Sequence, residues 1–260
     1  MDALALDLPH TSDQESPPIW GPVATLLWTA LIGVVWVVVQ IVAATIYVIV
    51  TMRGLPRDQM MEALRGLTSD GLFLSVCTVA NLLVCTPLIV GIAKLKRGSK
   101  LKDYLGLKVP RLRQFLLWSF ITSVFWGLSV LISLLHQRKA PGIMLEIYSS
   151  TDPQWPLWLA VVVAAPILEE IAFRGFIFKG LAASRLRWSG ATLVTSLFWA
   201  AIHGQYDRFE LSVIFALGLL LGAARTLTNS VLLTIWLHCL VNLLASIQIT
   251  IVLLRYTVNN

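Results

Sequence analysis

Three ionisable residues interrupt an otherwise apolar stretch, ILEEIAFRG, which runs from Ile167 to Gly175. A charged side chain at the centre of a bilayer costs about 2.5–3.5 kcal/mol on insertion scales, so such residues indicate function by default. Glu170 and Arg174 lie four residues apart, which places them on one helical face in the favourable order for an ion pair. Glu169 is turned about 100° away from Glu170. We predict that Glu170 pairs with Arg174, whereas Glu169 is left without a local partner.

Two histidines and an asparagine occupy later apolar stretches. His203 follows Trp199 by four residues in FWAAIHG, and His238 and Asn242 share a helical face in TIWLHCLVNLLA. Taken alone, each residue is equally consistent with packing, since polar side chains in spanning helices often only hydrogen-bond a neighbouring helix. The same alternative applies to the glutamates. Together, however, these residues fall in one third of the chain, and their combination indicates a site.

The composition indicates that these residues belong to a membrane protein. Of the 260 residues, 57% are hydrophobic and 13% are charged, whereas a soluble domain carries about 25% charged residues. A spanning helix needs about 20 mostly apolar residues. We expect an all-α, polytopic transmembrane helix bundle with about seven spanning helices (six to eight). The candidate stretches are residues 22–50, 71–93, 114–135, 155–178, 189–203, 209–224 and 230–254, of which 189–203 and 209–224 are short.

The charge pattern suggests an orientation and a division of the chain. Eight Lys and Arg residues lie between Lys94 and Arg113, against Asp103 alone, which predicts a cytoplasmic loop facing anionic lipid and a cytoplasmic N-terminus. The net charge of +6 is concentrated there, so nucleic acid is not an expected partner. We divide the chain into a flexible polar tail (1–19), N-terminal transmembrane helices with the basic loop (20–150), a catalytic core (151–250) and a C-terminal tail (251–260).

Two of the polar motifs described above resemble the pattern of a known family, the CAAX-protease and bacteriocin-processing (CPBP) proteins. These proteins are related to the type II CAAX prenyl endopeptidases. The family has two adjacent glutamates followed by an arginine, and EEIAFR with Glu169, Glu170 and Arg174 is similar to it. The family also has a histidine followed four residues later by asparagine or aspartate, and HCLVN with His238 and Asn242 is similar to that element. The resemblance covers roughly residues 155–246.

The middle element departs from the family pattern in one residue. The family has a phenylalanine four residues before its histidine, whereas this chain has Trp199 before His203. The resemblance implies an intramembrane endopeptidase that hydrolyses a peptide bond near the membrane surface. In that assignment Glu169 activates water and His203 holds the same water. His238 and Asn242 stabilise the oxyanion. The residues with supporting roles are Glu170, Arg174 and Trp199.

Several alternatives accompany this interpretation. We favour a reaction without metal, because His238 and Asn242 then act as a pair of hydrogen-bond donors, and the sequence has no HExxH helix. Glu169, His203 and His238 would nevertheless match a catalytic zinc ligand set, so a zinc metalloendopeptidase is the alternative. The expected partners are a peptide or membrane-protein substrate and the lipid bilayer, in a multi-pass protein of a prokaryotic plasma membrane. The rival functions are a catalytically inactive membrane scaffold of the same fold and a small transporter, although no internal repeat supports the transporter.

Overall fold

The computed structural model describes residues 18–258, in which all regular secondary structure is helical and no strand is present. We number ten helices in chain order, treating consecutive α- and π-helical segments as one helix and leaving a short 3₁₀ turn (Leu67–Ser69) unnumbered. They are α1 (Pro22–Thr51), α2 (Arg57–Gly66), α3 (Gly71–Leu95), α4 (Leu101–Tyr104), α5 (Leu112–Leu135), α6 (Gly142–Ser149), α7 (Trp155–Ala182), α8 (Arg187–Ala201), α9 (Arg208–Thr228) and α10 (Val231–Val258).

Six of the described helices are long and apolar enough to cross a membrane: α1, α3, α5, α7, α9 and α10. The predicted all-α polytopic bundle is therefore confirmed, and the protein is a multi-pass integral membrane protein. The predicted stretch 189–203 forms α8, whose 15 residues extend about 22 Å at 1.5 Å per residue. This length is less than the roughly 30 Å of a bilayer core, so α8 is not counted among the six.

The two predicted tails have different outcomes. Most of the predicted N-terminal tail, residues 1–17, lies outside the described residues. At the other end, α10 continues to Val258, so residue 251 is not a helix boundary. A continuous helix satisfies its own backbone hydrogen bonds at any depth in the membrane, which explains why the apolar stretch extends as helix into the segment predicted as a tail.

The long helix α7 contains two π-helical segments, Leu159–Ala164 and Ile171–Ile177, on either side of the α-helical turn Ala165–Glu170. Pro166 has no N–H to donate to the preceding turn, which favours the first irregular segment. Single π turns are frequent at functional sites. Here they flank the two glutamates.

The helices α8 and α9 pack closely because two glycines of α9 face α8. A β-carbon at Gly218 would lie 2.9 Å from Ser196 Cβ, and one at Gly222 would lie 2.5 Å from Thr192 Cγ2. Small residues at such an interface allow two helix backbones to approach each other. In contrast, α1 and α5 are largely exposed, as expected for helices that face lipid. The buried residues therefore concentrate around α7 to α10 and part of α3.

Candidate active site

Glu170 lies at the centre of a fully buried polar network. Its Oε1 atom is 2.9 Å from Arg174 Nη1 and 3.1 Å from His238 Nδ1, and neither Glu170 nor Arg174 is exposed to solvent. Arg174 also donates to the backbone carbonyl of Gly218 at 3.3 Å. The predicted pairing of Glu170 with Arg174 is thus present. It connects three helices, because α7 supplies the pair, α10 supplies the histidine and α9 supplies the carbonyl.

Glu169 faces a different set of partners. Its side chain is half-buried, and its Oε2 atom accepts a hydrogen bond of 2.6 Å from the indole nitrogen of Trp199 on α8. The guanidinium carbon of Arg174 lies 4.6 Å from the Trp199 ring centroid. The rings of His203 and His238 approach the same indole with centroid distances of 5.2 Å each. Trp199 therefore contacts all four of these predicted site residues.

His203 lies just beyond the end of α8 and is held by that helix. Its Nδ1 atom is 2.8 Å from the backbone carbonyl oxygen of Trp199. A carbonyl only accepts hydrogen bonds, so Nδ1 carries a proton and Nε2 is the other, unconstrained ring nitrogen. The half-buried ring can therefore present Nε2 to a ligand.

Asn242 contacts the first π segment of α7. Its Nδ2 atom donates to the carbonyl oxygen of Val161 at 2.8 Å. An amide group has two N–H donors, so one donor is used for this contact and the second is available to a ligand. His238 and Asn242 share a face of α10 as predicted, and that face lies against α7.

Two residues near the site were not identified from the sequence. Arg225 is fully buried and donates through Nε to the carbonyl oxygen of Arg174, at 2.9 Å, in the second π segment. In the sequence, Arg225 directly follows the apolar stretch 209–224. Tyr206 stacks on His203, with centroids 6.4 Å apart and an interplanar angle of 24°. Burial, followed by the negative charge of groups that include Glu169, raises the pKa of Tyr206 to about 12.

A cavity of about 530 Å³ opens beside Tyr206. It is lined by the connection between α5 and α6 and by the connection between α8 and α9, and its lining includes Arg138, Asp207 and Glu210. Arg138 forms ion pairs with both of these carboxylates. The cavity therefore lies next to the half-buried, histidine-bearing side of the cluster.

The geometry does not fit the alternative zinc ligand set of Glu169, His203 and His238. Within residues 18–258, no three His, Cys, Asp or Glu side chains converge as metal ligands do. His238 turns Nδ1 towards Glu170, His203 turns Nδ1 towards a backbone carbonyl, and Glu169 directs Oε2 to the indole. The metalloendopeptidase alternative is not supported by this arrangement.

The fold and the cluster define a multi-pass membrane protein with a polar, partly accessible acid–histidine site inside its helix bundle. Residues 151–244 match the family described as type II CAAX prenyl endopeptidase Rce1-like. The match includes every predicted site residue and confirms the resemblance over that segment.

The chain is also similar to a curated relative, an uncharacterised 24.3 kDa protein of Escherichia coli. The two are 38% identical over 84 residues, which is 31% of this chain and 38% of the relative. The chain thus matches well under half the length of that relative. No solved structure matches the chain.

Proposed function

We propose that the protein is an intramembrane endopeptidase that hydrolyses a peptide bond near the membrane surface, in a peptide or membrane-protein substrate. The observation that carries the proposal is the position of Glu169. Its half-buried carboxylate shares an indole with His203 and His238, inside the segment that matches an endopeptidase family. A general base must lie within hydrogen-bond reach of the water that it activates, and a half-buried carboxylate beside a histidine allows this.

In the proposed reaction, Glu169 takes one proton from a water molecule whose oxygen attacks the carbonyl carbon of the scissile bond. The new C–O bond turns the carbonyl oxygen into an oxyanion, and His238 and Asn242 donate hydrogen bonds to it. The C–N bond then breaks as the proton held by Glu169 passes through His203 to the leaving nitrogen. The products are a carboxylic acid and an amine, so atoms and charges balance without a metal ion.

The hydrogen bonds of the two histidines support different roles. With its proton on Nδ1, neutral His203 has a lone pair on Nε2 that accepts a hydrogen bond from the attacking water. His238 donates through Nδ1 to Glu170, so it becomes a donor at Nε2 only when both ring nitrogens are protonated.

The proposal includes an orientation and a location. We place the basic loop and the N-terminus in the cytoplasm of a prokaryotic cell, because the clustered Lys and Arg residues between α3 and α5 favour the cytoplasmic side. Cysteine labelling from each side of the membrane, at Lys100 and at Lys139, tests this orientation. We expect Lys100→Cys to be labelled only from the cytoplasmic side, and labelling from the opposite side would reverse the assignment.

The central test is cleavage of a quenched peptide library by purified protein, with and without a metal chelator. We expect Glu169→Gln to reduce cleavage to a small residual rate and the chelator to leave wild-type cleavage intact. The matched control is Glu62→Gln, which removes an exposed carboxylate of α2. Glu169→Gln activity equal to that of the wild type would overturn the assignment. A folded wild type that cleaves neither plain nor prenylated peptides would favour the inactive scaffold.

A further inference from the structure

Trp199 supplies a group that a phenylalanine at the same position would not have. Its side chain is 2% exposed, and its indole N–H points at Glu169 Oε2 at 2.6 Å. A phenylalanine ring could fill most of the same space, but it has no N–H to donate. The departure from the family pattern at this residue therefore adds a hydrogen bond to the proposed base.

We propose that Trp199 is a positioning residue of the proposed endopeptidase, whose indole N–H holds Oε2 of Glu169 and leaves Oε1 to take the proton from water. The proposal depends on the proposed function, because Glu169 must be the base. A glutamate carboxylate has a broad terminal torsion. A short hydrogen bond between an N–H and a charged carboxylate is among the stronger hydrogen bonds in proteins, so it fixes the orientation of the carboxylate.

The indole can act in this way because it is itself held in place. The guanidinium of Arg174 covers the ring at 4.6 Å, and Arg174 is fixed by its buried pair with Glu170. The rings of His203 and His238 approach it at near-perpendicular angles of 71° and 84°. The buried ion pair of α7 thus supports the indole of α8, and the indole in turn orients the neighbouring glutamate of α7.

Trp199 makes a second contact that is independent of its side chain. Its backbone carbonyl accepts the Nδ1 proton of His203 at 2.8 Å, and any residue at this position offers that carbonyl. The substitution Trp199→Phe therefore removes the indole N–H and part of the ring, while the carbonyl that accepts from His203 Nδ1 is retained. The contribution of the N–H is then separated from that of packing by comparing variants.

The test compares kcat and KM of wild type and Trp199→Phe. Losing a hydrogen bond to a charged group predicts a kcat about 10- to 100-fold lower, with KM within about twofold because the indole bonds the base and not the substrate. The matched control is Trp236→Phe, which removes an indole hydrogen bond to Ser119 Oγ on the exposed side of α10. We expect the control to keep the wild-type kcat. Wild-type kcat in Trp199→Phe would overturn the proposal.

A double-variant comparison separates positioning from packing. If Trp199 acts through the Glu169 carboxylate, Trp199→Phe should lower the residual rate of Glu169→Gln by no more than about twofold. An equally large loss in both backgrounds would mean that the indole acts through packing. Failure of the proposed function gives a different result, since Glu169→Gln would then cleave as fast as wild type whatever residue 199 is.

A spectroscopic measurement keeps the proposal testable if Trp199→Phe does not fold. The indole N–H of Trp199 has its own proton–nitrogen NMR signal, and its proton shift reports the strength of the hydrogen bond. We expect this signal to move upfield in Glu169→Ala and to keep its position in Glu62→Gln. An unchanged signal in Glu169→Ala would show that the indole does not donate to Glu169.

Discussion

Replacing Arg174 by methionine should destabilise the protein strongly, because it leaves a carboxylate buried without its cation. Both Arg174 and Glu170 have no exposed side-chain surface, and their closest N–O distance is 2.9 Å. Removing one partner of a buried ion pair typically costs about 3–5 kcal/mol. We expect a value near 3 kcal/mol, since Glu170 keeps the hydrogen bond from His238 at 3.1 Å.

The double variant Glu170→Gln, Arg174→Met provides the decisive comparison. Replacing a whole buried ion pair by neutral groups is often close to neutral in stability. We therefore expect the double variant to be more stable than Arg174→Met alone. The expected coupling between the two sites is about 0.5–3 kcal/mol, the usual range for residues in direct contact.

Equilibrium unfolding in mixed micelles measures these free energies. The matched control is the surface pair of Lys108 and Asp103, which are 3.4 Å apart with side chains 47% and 41% exposed. Exposed pairs contribute about 0–1 kcal/mol, so Lys108→Met should be nearly neutral. If Arg174→Met cost no more than Lys108→Met, the reasoning from burial would be refuted.

Three other predictions concern packing, pH and metal. Gly222→Leu should cost about 1–3 kcal/mol of unfolding free energy by overpacking α8 against α9, whereas Gly33→Leu, where an added β-carbon meets no atom within 4 Å, should leave the unfolding curve unchanged. Hydrogen bonding with Glu210 and the ion pair with Arg138 hold the pKa of Asp207 below its ordinary value. The lowered pKa of Asp207 stabilises the folded state above about pH 4, and this stabilisation is lost as pH falls through the lower, folded-state pKa. The melting temperature of wild type should therefore fall further between pH 7 and pH 3 than that of Asp207→Asn. Finally, a metal chelator should leave the initial rate of peptide cleavage unchanged, and a loss restored by added zinc would contradict this expectation.

The positions of the six long spanning helices could be predicted because a bilayer imposes a strong constraint. Each backbone polar group in lipid must be satisfied within the segment, so a long apolar stretch becomes a helix almost regardless of its neighbours. The π segments of α7 were not predictable in this way. Their carbonyl groups at Val161 and Arg174 receive hydrogen bonds from Asn242 and Arg225, which lie far away in the sequence, and local patterns carry no information about such partners.

The candidate site likewise contains one contact that local spacing predicts and one that only the fold provides. The pair of Glu170 and Arg174 follows from the four-residue spacing alone. Glu169 has no hydrogen-bond partner within its own helix, but the fold supplies one 30 residues later in the indole of Trp199. The sequence indicated that an aromatic residue stood at this position. The direction of its N–H depends on how α8 packs against α7, which in turn depends on the glycines of α9.

The two adjacent glutamates show how helix geometry can give one residue type two functions. Because consecutive side chains point about 100° apart, Glu170 faces the interior, where Arg174 and His238 satisfy its Oε1 atom. Glu169 instead faces α8 and is only half-buried, with a single indole donor on Oε2. A buried carboxylate whose one oxygen contacts both an arginine and a histidine from different helices is suited to holding helices together. A half-buried carboxylate with one oxygen anchored is suited to exchanging a proton with water, and it depends on the buried neighbour for its position.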